Sequence, residues 1–213
     1  MSAAQDEEQV SLKLVINKET NKVLFAEAEK DFVDVLCSFL TLPLGTIARL
    51  VGQSTNIGCL NSLYQSVANL EVKHLSTATC KEMLLRPRNT SEDFCRTLKL
   101  NIDDTEPTKY FMFRSFFCRL DDCESCYCLS TFKSIRCPCG KLLHRSVLLK
   151  SSNVNCDGFV QRGATFIITD DLIIRPNSME TSFGVIQNFE IKNTSSVKQI
   201  TVNVTKEKVL LCS

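Results

Sequence analysis

The sequence predicts an α+β protein with a β-hairpin and helices at its N-terminus, a cysteine-bearing antiparallel β module at its centre, and a β-hairpin plus helix at its C-terminus. Three observations carry that prediction. Apolar residues alternate with polar ones near both ends of the chain, the mark of half-buried strands. Helical apolar spacing follows each alternating stretch. Six of the twelve cysteines fall between Cys118 and Cys139, flanked by strand-like sequence.

The elements follow in order. Val10, Leu12, Leu14 and Ile16 alternate with Ser11 and Lys13, giving a strand. Asn17 to Asn21 has turn chemistry, and Val23 to Ala26 completes a hairpin. Asp31 is the expected N-cap of a helix that buries Phe32, Val35, Leu36, Phe39 and Leu40 and stops at Pro43. Gly45–Val51, Cys59–Leu70 and Thr77–Leu85 read as further helices, the last stopped by Pro87. Arg86–Asp93 reads as a loop, Leu98–Ile102 as a short strand and Asp103–Pro107 as a turn.

Lys109–Cys118 reads as an aromatic-rich strand, and Leu142–Lys150 as another beyond the cysteines. Ser151–Gly158 is a loop. Thr165–Thr169 and Leu172–Arg175 form a hairpin around Asp170-Asp171. Ser178 caps a helix through Phe189, Val197–Val204 is a strand, and Thr205 opens a short terminal helix. The expected organisation is a disordered tail over 1–9, a hairpin-helical region over 10–95, a β region with the cysteines over 96–158, and a hairpin-helix unit over 159–213. Residues 10–41 and 165–189 both read strand, turn, strand, helix. They are either a degenerate repeat or two unrelated hairpins.

Composition sets the class. A chain of 213 residues, 44% apolar and 23% charged, has material for a real core and does not read as disordered. A net charge of +1 gives no bulk attraction to nucleic acid or anionic lipid. The acidic, polar start lacks the pattern of a secretory signal, and no apolar run reaches the roughly 20 residues of a membrane helix. The expected location is the cytoplasm or the nucleus, with no membrane partner.

Clustered cysteines in a reducing compartment read as metal ligands before disulfides. Structural zinc takes four tetrahedral ligands, with thiolates preferred. Close pairs are usual, because one tight turn aims two sulfurs at one point. Cys123-Glu-Ser-Cys126 is one such pair and Cys137-Pro-Cys139-Gly is the other, so the central module is expected to be zinc-bound, with one structural ion. Pro138 fixes the second turn, and Gly140 permits a positive φ there. Six cysteines compete for four places. If Tyr127–Phe132 is a strand, Cys126 and Cys128 share a face and can act as the first pair. Cys118 and His144 are the other alternates. The six scattered cysteines, Cys37, Cys59, Cys80, Cys95, Cys156 and Cys212, read as small buried apolar residues.

Other chemistry is weaker. A redox role for Cys123-x-x-Cys126 needs a βαβ setting, and the flanks here are strand-like. A zinc deaminase needs His-x-Glu, which neither His74 nor His144 supplies. Asp103-Asp104 and Asp170-Asp171 sit in turns, where aspartate belongs for local hydrogen bonding. No phosphate-binding loop or dinucleotide fingerprint occurs. Residues 110–150 do set seven basic side chains (Arg114, Arg119, Lys133, Arg136, Lys141, Arg145, Lys150) against three acidic ones, with aromatics interleaved. Such a surface can bind single strands. Four thiolates around a zinc dication remove two charges from that excess of four.

The stretches LFAEAEKDFVDVLCSFLTLPLGTIARLV (Leu24–Val51), IGCLNSLYQSV (Ile57–Val67), KLNIDDTEPTKYFM (Lys99–Met112), RCPCGKLL (Arg136–Leu143) and FIITDDLIIRPNS (Phe166–Ser178) resemble the plant-specific "domain of unknown function 674" family. The resemblance spans about residues 10–212. It implies a plant source and supplies no catalytic residues. The family's Cys-x-Cys-Gly motif maps onto Cys137 and Cys139. Members often carry a cysteine directly after the Lys-Tyr-Phe-Met stretch, where this chain has Phe113, which favours Cys118 or Cys123 as substitutes. Many members are longer, with a second related half; this chain reads as a single unit.

The expected function is a non-enzymatic intracellular protein-interaction module, with a protein partner not identified by the sequence. A zinc-dependent single-stranded nucleic-acid-binding module is the second reading, and a thiol-dependent enzyme the third.

Overall fold

A computed structural model describes residues 8–52, 58–115, 126–133, 135–137, 140–147, 157–188 and 196–211. The chain forms β1 (Gln9–Asn17), β2 (Val23–Glu29), α1 (Lys30–Phe39), α2 (Leu44–Val51), α3 (Cys59–Asn69), α4 (Ala78–Leu85) and α5 (Glu92–Cys95). β3 (Tyr110–Ser115), β4 (Cys126–Ser130) and β5 (Arg145–Val147) follow. The rest is β6 (Thr165–Ile168), β7 (Ile174–Pro176), α6 (Met179–Asn188), β8 (Val197–Thr205) and α7 (Lys206–Leu211). The protein is α+β, as its patterning predicts, and its strands form two antiparallel sheets. The described helices include none long and apolar enough to cross a membrane.

Two compact units divide the chain. One comprises 1–41, 93–102 and 156–213; the other comprises 42–92 and 103–155. The first unit is therefore assembled from both ends of the chain. Its five strands run in the order β7-β6-β2-β1-β8. β1 is an interior strand beside the β8 edge, paired with β2 on one side and with all nine residues of β8 on the other, from Gln9↔Thr205 to Asn17↔Val197. β2 takes β6 on its other edge, from Ala26↔Ile168 to Glu29↔Thr165.

Both faces of this sheet are covered. Leu12, Ala26, Ala28 and Ile168 pack with Val33, Phe32 and Leu36 of α1. Val15, Leu24, Phe25 and Ile167 pack with Val185 and Ile186 of α6. An irregularity between Val15 and Ile16 lets both residues be buried in succession. Each such side chain, fully buried, contributes roughly 1.5–3 kcal/mol. The two hairpin-helix segments do share one sheet, but their helices cover opposite faces. A repeat related by simple translation across the sheet would put both on the same face.

A buried carboxylate closes the unit. Asp34 on α1 is 2% exposed. Its Oδ1 accepts the backbone N–H groups of Phe159 (2.7 Å) and Val160 (2.9 Å), and its Oδ2 pairs with Lys30 one turn earlier. The Lys30 ammonium also donates to the Asp157 carbonyl. Gly158 lies between these contacts at φ +76°, where an L side chain is strained, and a Cβ there would collide with the Asp34 carboxylate and the Lys30 ammonium. Asp157 is held by Arg162, whose guanidinium draws its carboxyl below the usual range.

Several local expectations change. α1 begins at Lys30 with Glu29 as N-cap, so Asp31 lies inside the first turn. Leu98–Ile102 is not a strand. Leu100 and Ile102 are buried as their spacing suggests, but no neighbouring strand pairs with them among the described residues. The end of the predicted loop Arg86–Asp93 enters α5. Leu172 belongs to the turn before β7, where its N–H bonds the Thr169 carbonyl at 3.0 Å. It stands at φ +59°, a conformation that disfavours a leucine, with 65% of its surface exposed. Ser178 does cap α6, accepting the Thr181 N–H at 3.1 Å.

In the second unit α2, α3 and α4 pack pairwise. α2 and α4 approach so closely that a Cβ on Gly45 would lie 2.8 Å from the Leu84 carbonyl. Thr77 caps α4 through the Cys80 N–H. Lys81 donates to the Ala68 and Leu70 carbonyls, both at 2.7 Å, and so closes the C-terminus of α3. Arg49 of α2 grips Asp104 with two bonds of 2.8 and 2.6 Å. Asn89 and Asp103 are buried together, and Asp103 also accepts the Thr105 N–H at 3.0 Å. These bonds fix the Asp103–Pro107 turn.

The first unit yields three predictions. Asp34→Ala strands Lys30 and two backbone donors and is expected to cost about 3–5 kcal/mol, whereas Leu172→Gly relieves backbone strain and is expected to gain up to about 1 kcal/mol. Urea unfolding midpoints of the two variants measure both. Cys37, one turn from Asp34, has its thiol pushed up by burial first and by that carboxylate second. Its thiolate fraction near neutral pH is thereby reduced, so iodoacetamide should label it more slowly than exposed Cys59, as peptide mass spectrometry over a time course would show.

Candidate metal centre

The cysteine region is built on the three-stranded sheet β4-β3-β5. β3 is the central strand, and its aromatic-rich start, Tyr110-Phe111-Met112-Phe113, favours an extended strand. It pairs with β4 from Phe111↔Ser130 to Ser115↔Cys126, and with β5 from Tyr110↔Val147 to Met112↔Arg145. Cys126 and Cys128 thus occupy alternate positions on one strand.

Cys137 comes from a tight hairpin. The Leu143 N–H bonds the Ile135 carbonyl and the Cys137 N–H bonds the Lys141 carbonyl, both at 2.8 Å, with a bridge between Arg136 and Leu142. The Gly140 N–H returns to the Cys137 carbonyl at 2.8 Å, and Gly140 takes φ +83°. That is the glycine role the Cys-x-Cys-Gly spacing predicts. Arg136 ties the turn further, donating to the Gly140 carbonyl at 2.8 Å.

This geometry brings Cys128 Sγ and Cys137 Sγ to 3.2 Å. The separation far exceeds the roughly 2.05 Å of a disulfide. Two thiolates each about 2.3 Å from one tetrahedral ion stand about 3.8 Å apart. A small side-chain rotation separates 3.2 Å from that value, so the pair suits a shared metal. Cys137 is buried and Cys128 half-buried.

The remaining expected ligands fall out as follows. Cys118, Cys123 and Cys139 lie outside the described residues, and Cys126 is described through its backbone, opposite Ser115. His144 is exposed, with Nδ1 3.1 Å from the Leu142 carbonyl. Among the described residues no group of three or more His, Cys, Asp or Glu converges. Cys128, an alternate in the sequence reading, is the one brought to Cys137. Its ladder partner is Phe113, the position where the resemblance places a cysteine in many relatives. The signal that could have ranked Cys128 higher was that pairing, which requires the register of β3 against β4.

Neighbouring contacts anchor the module. Phe132 is buried, with the Arg88 guanidinium 5.3 Å from its ring centre. Thr79, near the start of α4, reaches the Lys133 carbonyl at 3.4 Å. Lys133, Arg136, Lys141 and Arg145 are exposed, as are Leu129 and Leu142. Of the scattered cysteines, Cys95 is buried beside the Thr41 hydroxyl, and Cys37 and Cys80 are half-buried. Cys59 corrects the expectation of burial: it is exposed, as the first residue of α3. Cys156 and Cys212 lie outside the described residues.

Comparison with known proteins adds a family and no activity. No curated protein and no solved structure matches the chain. A family model described as "Protein of unknown function (DUF674)" matches residues 6–212. With nearly its whole length matched, the chain belongs to the DUF674 family.

Proposed function

We propose that this chain is a non-enzymatic protein-interaction module whose three-stranded sheet is held by one structural zinc ion. The observation that carries the reading is the 3.2 Å approach of Cys128 Sγ to Cys137 Sγ, between a strand and a separate hairpin. Cys137 and Cys139 form the hairpin pair of ligands, and Cys128 is a third. The fourth comes from Cys126, Cys123 or Cys118. A set of four thiolates saturates zinc and leaves no position for substrate or water, which makes the role structural. Exposed Leu129 and Leu142 give the module apolar contact surface.

The second reading, single-stranded nucleic-acid binding, is favoured by the exposed Lys133, Arg136, Lys141 and Arg145. Against it, Phe132 is covered by Arg88 and has no free face for a base.

Metal analysis of the purified protein should find about one zinc per chain. Cys128→Ser and Cys137→Ser should each lower that content and destabilise the fold, while Cys59→Ser leaves both unchanged. Fewer than about 0.2 zinc per chain, with the fold intact in chelator, would overturn the metal site. For the choice between readings, a protein partner retained by the native chain and lost with Cys137→Ser supports the first. Salt-sensitive binding of single-stranded RNA, lost on Arg136→Glu with Lys141→Glu, would replace it with the second.

A further inference from the structure

The five-stranded sheet has two unlike edges. β7 is three residues long and ends on Pro176, which has no N–H to offer a further strand. β8 is nine residues long, about 30 Å of extended backbone at 3.4 Å per residue. It contains no proline, and its ladder with β1 is continuous. Lys198 is its one charged residue. Among the described residues no strand lies on its outer side. β7 is blunted by its shortness and its proline, whereas on β8 the blunting devices are one exposed lysine, Lys198, and the Lys208 ammonium on the Asn203 carbonyl, along a long edge with no proline and no break in its ladder.

The side chains of β8 indicate what fits there. Val202 and Val204 pack against the core under α1, and Ile200 has the same parity but stays 41% exposed. On the other face lie Val197, Gln199, Thr201, Asn203 and Thr205. An antiparallel copy of this strand centred on Thr201 sets Ile200 against Val202 of the second copy. It also sets Gln199 against Asn203, Val197 against Thr205, and Thr201 against itself. Each is a favourable cross-strand pair: β-branched with β-branched, amide with amide, hydroxyl with hydroxyl. Lys198 then faces Val204, so no like charges stand opposite. The Lys208 ammonium touches this strand through the Asn203 carbonyl at 2.9 Å, and that oxygen retains a second lone pair.

We infer that β8 is a self-association surface: two copies of the chain add their β8 strands antiparallel across a twofold axis and join two five-stranded sheets into one. The contact is isologous and closes at the dimer. Main-chain bonds supply its strength, and the palindromic side-chain match supplies its preference for a second copy over a foreign strand.

Light scattering of the full chain over a range of concentrations should show the mass rising from 24.0 kDa toward twice that value. Ile200→Lys sets two ammonium groups at diagonal positions across the twofold axis. This variant should remain monomeric with an unchanged circular dichroism spectrum, since Ile200 is partly exposed. Under mild oxidation Thr201→Cys should give a disulfide joining the position-201 peptides of two chains, whereas Gln199→Cys, which faces position 203, should not link to itself. A native chain that stays monomeric at every concentration overturns the inference, whatever else binds it. So does a dimer that survives Ile200→Lys and gives no link at position 201.

Discussion

A carboxylate as buried as that of Asp34 persists only where charge and hydrogen-bond partners replace the water it has lost, and the first unit is arranged to supply them. Lys30 provides the charge, and the N–H groups of Phe159 and Val160 provide the bonds. Those two donors belong to the segment that leads into β6. The same segment carries Val160 into the core under α1 and stacks Phe159 on Phe94, with centroids 5.9 Å apart. One side chain therefore fixes the path by which the C-terminal third enters a sheet begun by the first thirty residues. Gly158 is the geometric condition for it, since the carboxylate occupies the space a Cβ would need.

With that junction set, the sheet becomes a mixture of near and distant pairings. The β1–β2 hairpin is local and its turn is specified by composition: the Asn17 side chain accepts the Glu19 N–H at 2.9 Å, and Asn21 takes the positive φ that asparagine tolerates. The β1–β8 and β2–β6 ladders join residues far apart in sequence. Such pairings carry a loop-closure entropy that burial on both faces must offset. The two apolar clusters, one under α1 and one under α6, provide that burial.

These facts explain what could be read in advance. Period-2 alternation is written into β1 and β8, a short apolar run bounded by turn residues into β6, and the period-3.6 pattern into α1 and α3, so element type was legible locally. Sheet order was not, because no local pattern in β2 names β6 as its neighbour. Asp34 was invisible for a related reason: Lys30 and Asp34 have the spacing of an ordinary surface ion pair, and only the distant loop makes the carboxylate a buried acceptor. Leu98–Ile102 was misread because alternate burial of Leu100 and Ile102 does not require a paired strand. At the cysteine module the glycine turn was legible from Cys137-Pro-Cys139-Gly140. The place of Cys128 depended on a register that spacing along one strand does not reveal.

The two units also differ in how they are held. The five-stranded sheet has apolar layers on both faces. The three-stranded sheet has strands of six, five and three residues, and an adjoining hairpin closed by a few backbone bonds. Its described buried side chains include Phe132, Cys137 and Leu143, a small apolar set. Elements this short seldom bury enough surface to offset their ordering entropy, and small modules of this kind gain from cross-links. Arg88 over Phe132 is one tie. A metal held between the β4 thiol and the hairpin thiol would be a stronger one, joining two elements that the backbone leaves separate. On this argument a metal held by Cys128 and Cys137 would serve the module in place of a larger core.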